Sequence, residues 1–321
     1  MIQRFLLTFA VCLLAPLTAM AQRPVFHTTR PFLDNLTEQF GGEKMDPGEM
    51  DENDAVVLSY MRKVKASSPS IEGITPFSGV IRTGSVHLHW DADEEMEEEA
   101  LDMSVSGRWN YDIEWPSDDI DPHLLLRRWI NSTIRAQLED TFSGDCKVVP
   151  YPGGSKEFQP MMDYYAGKYR KLYRECTLAT RKENEWEGAF RQLYQVEFNP
   201  TLVIWLRCIN AKYATFYVAD FRPAYRSGPE YRMHTINRYT GKEVWLEDLV
   251  TEDKIACIKK AIRDKYSPFE SDGNLDEVIR DHDYCLALTE SGIVISFRRY
   301  TFSITSGSEA FQVSFNYQDI L

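Results

Sequence analysis

YCLALTESGIVISFRRYTFSITSGSEAFQVSFNY, residues 284–317, is the stretch that decides the fold. Tyr284, Leu286 and Leu288 alternate with Cys285 and Ala287, and Glu290-Ser291-Gly292 then turns the chain. The return offers Ile293, Ile295 and Phe297 on one face, so the first two runs read as a hairpin. After a polar turn at Ser303 to Ser308 the last run offers Phe311, Val313, Phe315 and Tyr317, with Gln312, Ser314 and Asn316 opposite. Period-two alternation with one apolar face predicts a three-stranded antiparallel meander that needs a cover.

The cover lies just upstream. Thr251 can cap a helix whose first turn carries Glu252 and Asp253 and whose last turns carry Lys259, Lys260, Arg263 and Lys265, an order that complements the helix dipole. Ile255, Ile258, Ile262 and Tyr266 recur at helical spacing, and Ser267-Pro268 ends the run. A shorter helix is predicted from Leu275 to Arg280.

Taken with Gly241-Lys242-Glu243-Val244-Trp245-Leu246-Glu247-Asp248-Leu249, these elements resemble the extracytoplasmic domain of RsiV-like anti-sigma factors, which sense lysozyme. Related domains accompany some polysaccharide deacetylases. The likeness extends upstream to "WNYDIEWP" and the helix after it, so it spans about residues 105–321 with an insertion between. It is carried by the order of elements and by no single motif. The resemblance implies an α+β fold, a protein or glycan ligand, and a docking site at Arg298, Arg299 and Tyr300, where the apolar strand meets its final turn.

Outward from this block, the chain reads as a signal peptide (1–21), a largely unstructured leader (22–76), a first α+β module (77–238) and the C-terminal module (239–321). The expected fold is two modules of antiparallel sheet covered by helices. Arg4 precedes an apolar run from Phe5 to Ala19, and Ala19-Met20-Ala21 is a cleavage site, so the mature chain is expected to begin at Gln22 in the bacterial periplasm or outside the cell. The run is about fifteen residues where a membrane span needs about twenty, and Pro16 interrupts it. No later stretch is long enough, so the chain is not expected to span a membrane.

In the first module, alternation through Val80 and Ser85 to Trp90 resumes at Ser104 to Trp115. Between them stand Asp91, Asp93, Glu94, Glu95, Glu97, Glu98, Glu99 and Asp102, read as a solvated hairpin tip. A helix from about Asp121 to Phe142 has Leu125, Trp129 and Leu138 on one side. An inserted helix at about 158–182 carries Tyr164, Tyr165, Tyr169 and Tyr173, a stripe that suits either core or a partner contact. Leu202 to Leu206 is apolar without alternation, which predicts a central strand covered on both faces.

Composition bounds the function. The chain is 43% hydrophobic with net charge −13, one unit more negative once Arg4 departs. That charge argues against nucleic acid and anionic membrane as partners and favours a cationic one, such as a lysozyme. Cys12 departs with the signal, leaving Cys146, Cys176, Cys208, Cys257 and Cys285, an odd set with no small-scaffold spacing. There is no nucleophile elbow, His-Glu-x-x-His, phosphate loop or Cys-x-x-Cys. His87 and His89 share a strand face but lack a third ligand, so no metal and no cofactor are expected. The reading is a non-catalytic recognition or sensing domain of the cell envelope, binding a lysozyme-like protein or peptidoglycan. A cell-wall hydrolase is the alternative.

Overall fold

The computed structural model describes residues 27–28, 71–90, 101–142, 147–187, 196–198, 200–221, 230–265, 275–297 and 311–320. In chain order these form β1 (His27–Thr28), β2 (Ile74–Trp90), β3 (Leu101–Pro116), α1 (Leu125–Thr141), α2 (Phe158–Glu187), β4 (Val196–Phe198), β5 (Thr201–Ile209), β6 (Tyr213–Phe221) and β7 (Glu230–Asn237). A 3-10 turn at Leu246–Asp248 leads into α3 (Glu252–Lys265), α4 (Leu275–Arg280), β8 (Cys285–Leu288), β9 (Gly292–Phe297), β10 (Phe311–Asn316) and α5 (Tyr317–Ile320). The fold is α+β, with two sheets.

The large sheet has the order β2-β3-β5-β6-β7, with β4 added to β3 and β1 to β5. Its pairings are antiparallel except that β3 runs parallel to β4 and β5. The leader therefore contributes one short strand, His27–Thr28 pairing with Ile209 and Cys208, and β2 begins at Ile74, ahead of the expected start.

One face of this sheet packs on α1 and α2. Trp109, Ile113, Leu202, Ile204, Leu206, Phe216 and Ile236 meet Leu126, Ile130, Ile134 and Leu138 of α1 and Tyr165, Tyr169 and Tyr173 of α2 in one cluster. The α1 stripe is thus rotated from the expected one: Leu125 and Trp129 flank it, half-buried, and Leu126, Ile130 and Ile134 occupy its centre. The helix also starts later than expected, at Leu125. Asp121 lies outside the helix and caps it, its Oδ1 accepting from Leu125 N–H at 2.8 Å and its Oδ2 from Arg127 N–H at 2.9 Å. Tyr165, Tyr169 and Tyr173 of α2 fill the core at four-residue spacing, and Tyr164 packs half-buried at its edge.

The small sheet is the expected meander, β10-β9-β8, with Ile293 opposite Leu288 and Phe315, and Ile295 opposite Leu286 and Val313. One face joins Ile258 and Ile262 of α3 and Leu275 and Ile279 of α4 in a second core. Gln312, Ser314 and Asn316 are exposed on the other face of β10.

The opposite face of β8 and β9 is buried too. Ala287 and Val294 pack with Val203, Trp205, Tyr217, Ala219 and Met233 of the large sheet. The order is therefore α1 and α2, large sheet, small sheet, then α3 and α4. This arrangement explains why Thr201–Ile209 is buried at every position.

Candidate functional site

Period-two geometry sends Trp109, Ile113 and Trp115 of β3 into the helix-side core and Asn110, Asp112 and Glu114 to the opposite face. That polar row is buried, with Asp112 at 0% exposure. Asp112 Oδ1 accepts from the Ser78 hydroxyl at 2.8 Å, and Asn110 Nδ2 donates to Thr201 Oγ1 at 3.4 Å. Glu114 sits where β3 and β5 part company. Their pairing ends at Ile113 and Ile204, and beyond it Leu206 N–H donates to Glu114 Oε2 at 2.7 Å. The carboxylate takes the place of the missing strand neighbour.

Arg207 occupies the irregularity that follows, between Leu206 and Cys208. Its guanidinium lies 5.0 Å from the Trp205 ring centroid and 4.8 Å from that of Tyr217, within cation–π range. Two carboxylates on one strand face could suit acid–base chemistry, but Asp112 and Glu114 are engaged in holding strands together.

A second polar assembly surrounds the segment that joins the sheets. His234 Nδ1 lies 2.5 Å from Glu243 Oε1, and the imidazole centroid is 5.6 Å from that of Trp129. Four residues on, Glu247 Oε1 lies 2.5 Å from His282 Nε2, and the His282 ring stacks on Trp245 at 4.4 Å and 3°. Burial pushes the nearby Tyr284 phenol up, with Glu247, Asp248 and Glu243 adding to the shift; its oxygen accepts from Leu246 N–H at 2.9 Å. These pairs escaped the sequence reading because Glu243 and His234 belong to no shared motif. The signal that was present is the alternation of Val244 and Leu246 with charged or aromatic neighbours.

Arg298, Arg299 and Tyr300 lie outside the described residues; β9 ends just before them at Phe297, paired with Phe311. The acidic residues 91–100, the signal peptide and Tyr266 lie outside them as well. His87 and His89 fall on β2, but their side chains are outside the described set. Among the described residues no three His, Cys, Asp or Glu side chains are placed to hold a metal. Among the described residues Cys176, Cys208, Cys257 and Cys285 are joined in no disulfide; burial, then the charge of Glu290, pushes the Cys208 thiol up to about 12. No helix among the described residues is long and apolar enough to cross a membrane.

No family model matches the chain, and no curated protein does. Several chains of solved structures are similar, two of them as follows. A DUF3298 family member from Bacteroides fragilis NCTC 9343 shares 11% identity at a TM-score of 0.36, over 76% of this chain and 91% of that one. A DUF3298 family protein from Pseudomonas aeruginosa PAO1 shares 10% identity at a TM-score of 0.40, over 78% of this chain and 93% of that one. These structural neighbours belong to a domain family of unknown function.

Proposed function

We propose that this protein is a secreted, non-catalytic recognition or sensing module of the cell envelope, released by cleavage after Ala21, whose ligand is a cationic protein of the lysozyme kind or peptidoglycan. The observation that supports this reading is the placement of the acidic run. Strands β2 and β3 stay paired out to Trp90 and Leu101, past the pairing of β3 with β5 at Asn110 to Ile113 and with β4 at Val105 to Gly107, and residues 91–100 join that last pair. The acidic run is therefore attached at the far end of the β2–β3 pair, on a chain of net charge −13. Their field reaches about 8 Å at physiological salt, enough to steer a cationic partner.

The test is the association rate with a lysozyme, measured against salt for the wild type and for a variant with Glu94, Glu95, Glu97, Glu98 and Glu99 changed to Gln. The rate should fall steeply with salt in the wild type and flatten in the variant, while dissociation changes little. Equal slopes would reject the steering role. Replacing Arg298 and Arg299 by Ala should weaken the complex without unfolding the domain, as expected of anchors beside a tyrosine.

The hydrolase reading is the weaker, because Asp112 and Glu114 share a strand face but are buried and hold strands together. Soluble fragments released from purified peptidoglycan by the wild type and not by Asp112→Asn would decide for it.

A further inference from the structure

We propose that Trp129, His234, Glu243, Trp245, Glu247 and His282 form a binding site for an uncharged oligosaccharide where the chain passes from the large sheet to the small one. Its ligand belongs to the peptidoglycan side of the proposed function, and the site rests on that reading. The six side chains follow one another by contact. The His234 ring centroid lies 5.6 Å from that of Trp129, and His234 Nδ1 lies 2.5 Å from Glu243 Oε1. Trp245 stands two residues beyond Glu243, about 7 Å along an extended backbone. Its ring stacks on that of His282 at 4.4 Å and 3°, and His282 Nε2 lies 2.5 Å from Glu247 Oε1. Val244 and Leu246 are buried, at 2% and 0% exposure, which leaves Glu243, Trp245 and Glu247 on the solvent side of the segment. The row crosses between the sheets, since the Glu243 backbone bridges to Ile236 of β7 and His282 lies at the turn that enters β8.

Aromatic walls with a few placed polar groups are the usual makeup of a small-ligand site. Here both parts suit a sugar. The negative face of an aromatic ring attracts the polarised C–H bonds that line one face of a pyranose, and both indoles are half-buried, so part of each ring remains at the surface. Each His–Glu pair uses one carboxylate oxygen and one ring nitrogen, leaving the second oxygen and the second nitrogen for a ligand. A sugar hydroxyl meets that nitrogen whether it donates or accepts. An ammonium or guanidinium only donates, so a basic protein surface matches the row less well.

The row is held in place before any ligand arrives. Asp248 Oδ2 accepts from Trp245 N–H at 2.9 Å, and the Tyr284 hydroxyl oxygen accepts from Leu246 N–H at 2.9 Å. At the other end the Trp129 ring stacks on buried Phe216, with centroids 5.0 Å apart. Side chains fixed in advance lose little freedom on binding, which removes part of its entropic cost. The two carboxylates of the row, on a chain of net charge −13, oppose an anionic polysaccharide and leave an uncharged one as the ligand.

Fluorine NMR of the full chain labelled with fluorotryptophan, titrated with a chitin oligosaccharide, tests the site without requiring a variant to fold. Of the 7 tryptophans, Trp129 and Trp245 should shift together along one saturation curve. In co-sedimentation with purified peptidoglycan, Trp245→Ala should weaken binding about tenfold, and so should Glu243→Ala combined with Glu247→Ala. Binding that shifts other tryptophans and leaves these two unmoved, or that is equally strong in the wild type and the variants, overturns the site and leaves the peptidoglycan reading standing. A chain that binds neither the oligosaccharide nor peptidoglycan overturns both. A Trp245→Ala variant that keeps its glycan affinity but loses binding to a lysozyme assigns the row to a protein partner and overturns the proposal.

Discussion

Thr235 Oγ1 donates to the carbonyl of Leu286 at 2.8 Å and accepts from Leu288 N–H at 3.1 Å, so one side chain of the large sheet satisfies the open edge of the small one. Leu286 and Leu288 turn these groups away from β9, and no described strand pairs with that edge. Thr215 extends the arrangement, its hydroxyl donating to the Leu288 carbonyl at 3.1 Å and lying 3.0 Å from that of Thr235. Changing Thr235 to Val keeps the shape and removes the hydroxyl. It should cost about 1–3 kcal/mol for each buried backbone group left without a partner, and Thr235→Ser should recover most of the loss. Urea unfolding of the two variants checks this; a Thr235→Val variant as stable as the wild type would remove the hydroxyl from the account.

Ile258 of α3 is 1% exposed and sits in the core under the small sheet, whereas Gln312 is exposed on the far face of β10. Ile258→Ala should therefore cost about 2–5 kcal/mol, and Gln312→Ala should stay within about 0.5 kcal/mol. Comparable small losses at both sites in denaturant titrations would show the faces to be misassigned.

Gly292 opens β9 opposite Asn316, and a Cβ there would lie 1.8 Å from the Phe315 carbonyl oxygen. The obstacle is backbone, which cannot swing aside as a side chain would. Gly292→Ala should force β10 away from β9 at a cost of about 3 kcal/mol or more. Hydrogen exchange should report it as lost protection across β10, with β6 and β7 unchanged; intact protection of β10 would contradict the expectation.

Two surface carboxylates are held below the ordinary Asp range. Asp118 is lowered by its hydrogen bond from Arg127, and Asp276 by that from Lys259, with Arg263 adding to it. A folded-state value below the unfolded one means that the contribution is present above the unfolded carboxylate range, near about 3.9, and is lost as pH falls through the folded value. Asp276→Asn should lower stability at neutral pH and flatten its decline in acid. Because Asp276 is half exposed, the effect should be small and should shrink further in salt. An acid limb unchanged by Asp276→Asn in thermal melts between about pH 3 and 7 would remove this pair from the account.

The resemblance-derived site and the structure meet only at their margin, since β9 ends at Phe297, one residue before Arg298. The polar groups that the structure does bring together lie elsewhere. Glu114 and Leu206 are 92 residues apart, His282 and Glu247 are 35 apart, and no spacing rule joins either pair. His234 and Glu243 are close in sequence but lie on a strand and on the segment that folds back beside it, a reversal at Gly241 that the composition of the turn alone leaves open.

Local periodicity determined the alternating faces of β8, β9 and β10, the extent of α4, the stripe of α3 and the fully buried character of β5, because residue type repeated every two or every three to four positions is itself the signal. Tertiary contact alone decided the rest. Whether Asp121 begins α1 or caps it depends on where the chain leaves β3. Whether Ala287 and Val294 face solvent or a second sheet depends on Trp205 and Tyr217 being there to meet them. Thr235 reads as an ordinary strand residue until a carbonyl 51 residues away is brought within 2.8 Å of its hydroxyl, because a hydrogen bond depends on positions in space that no local pattern specifies.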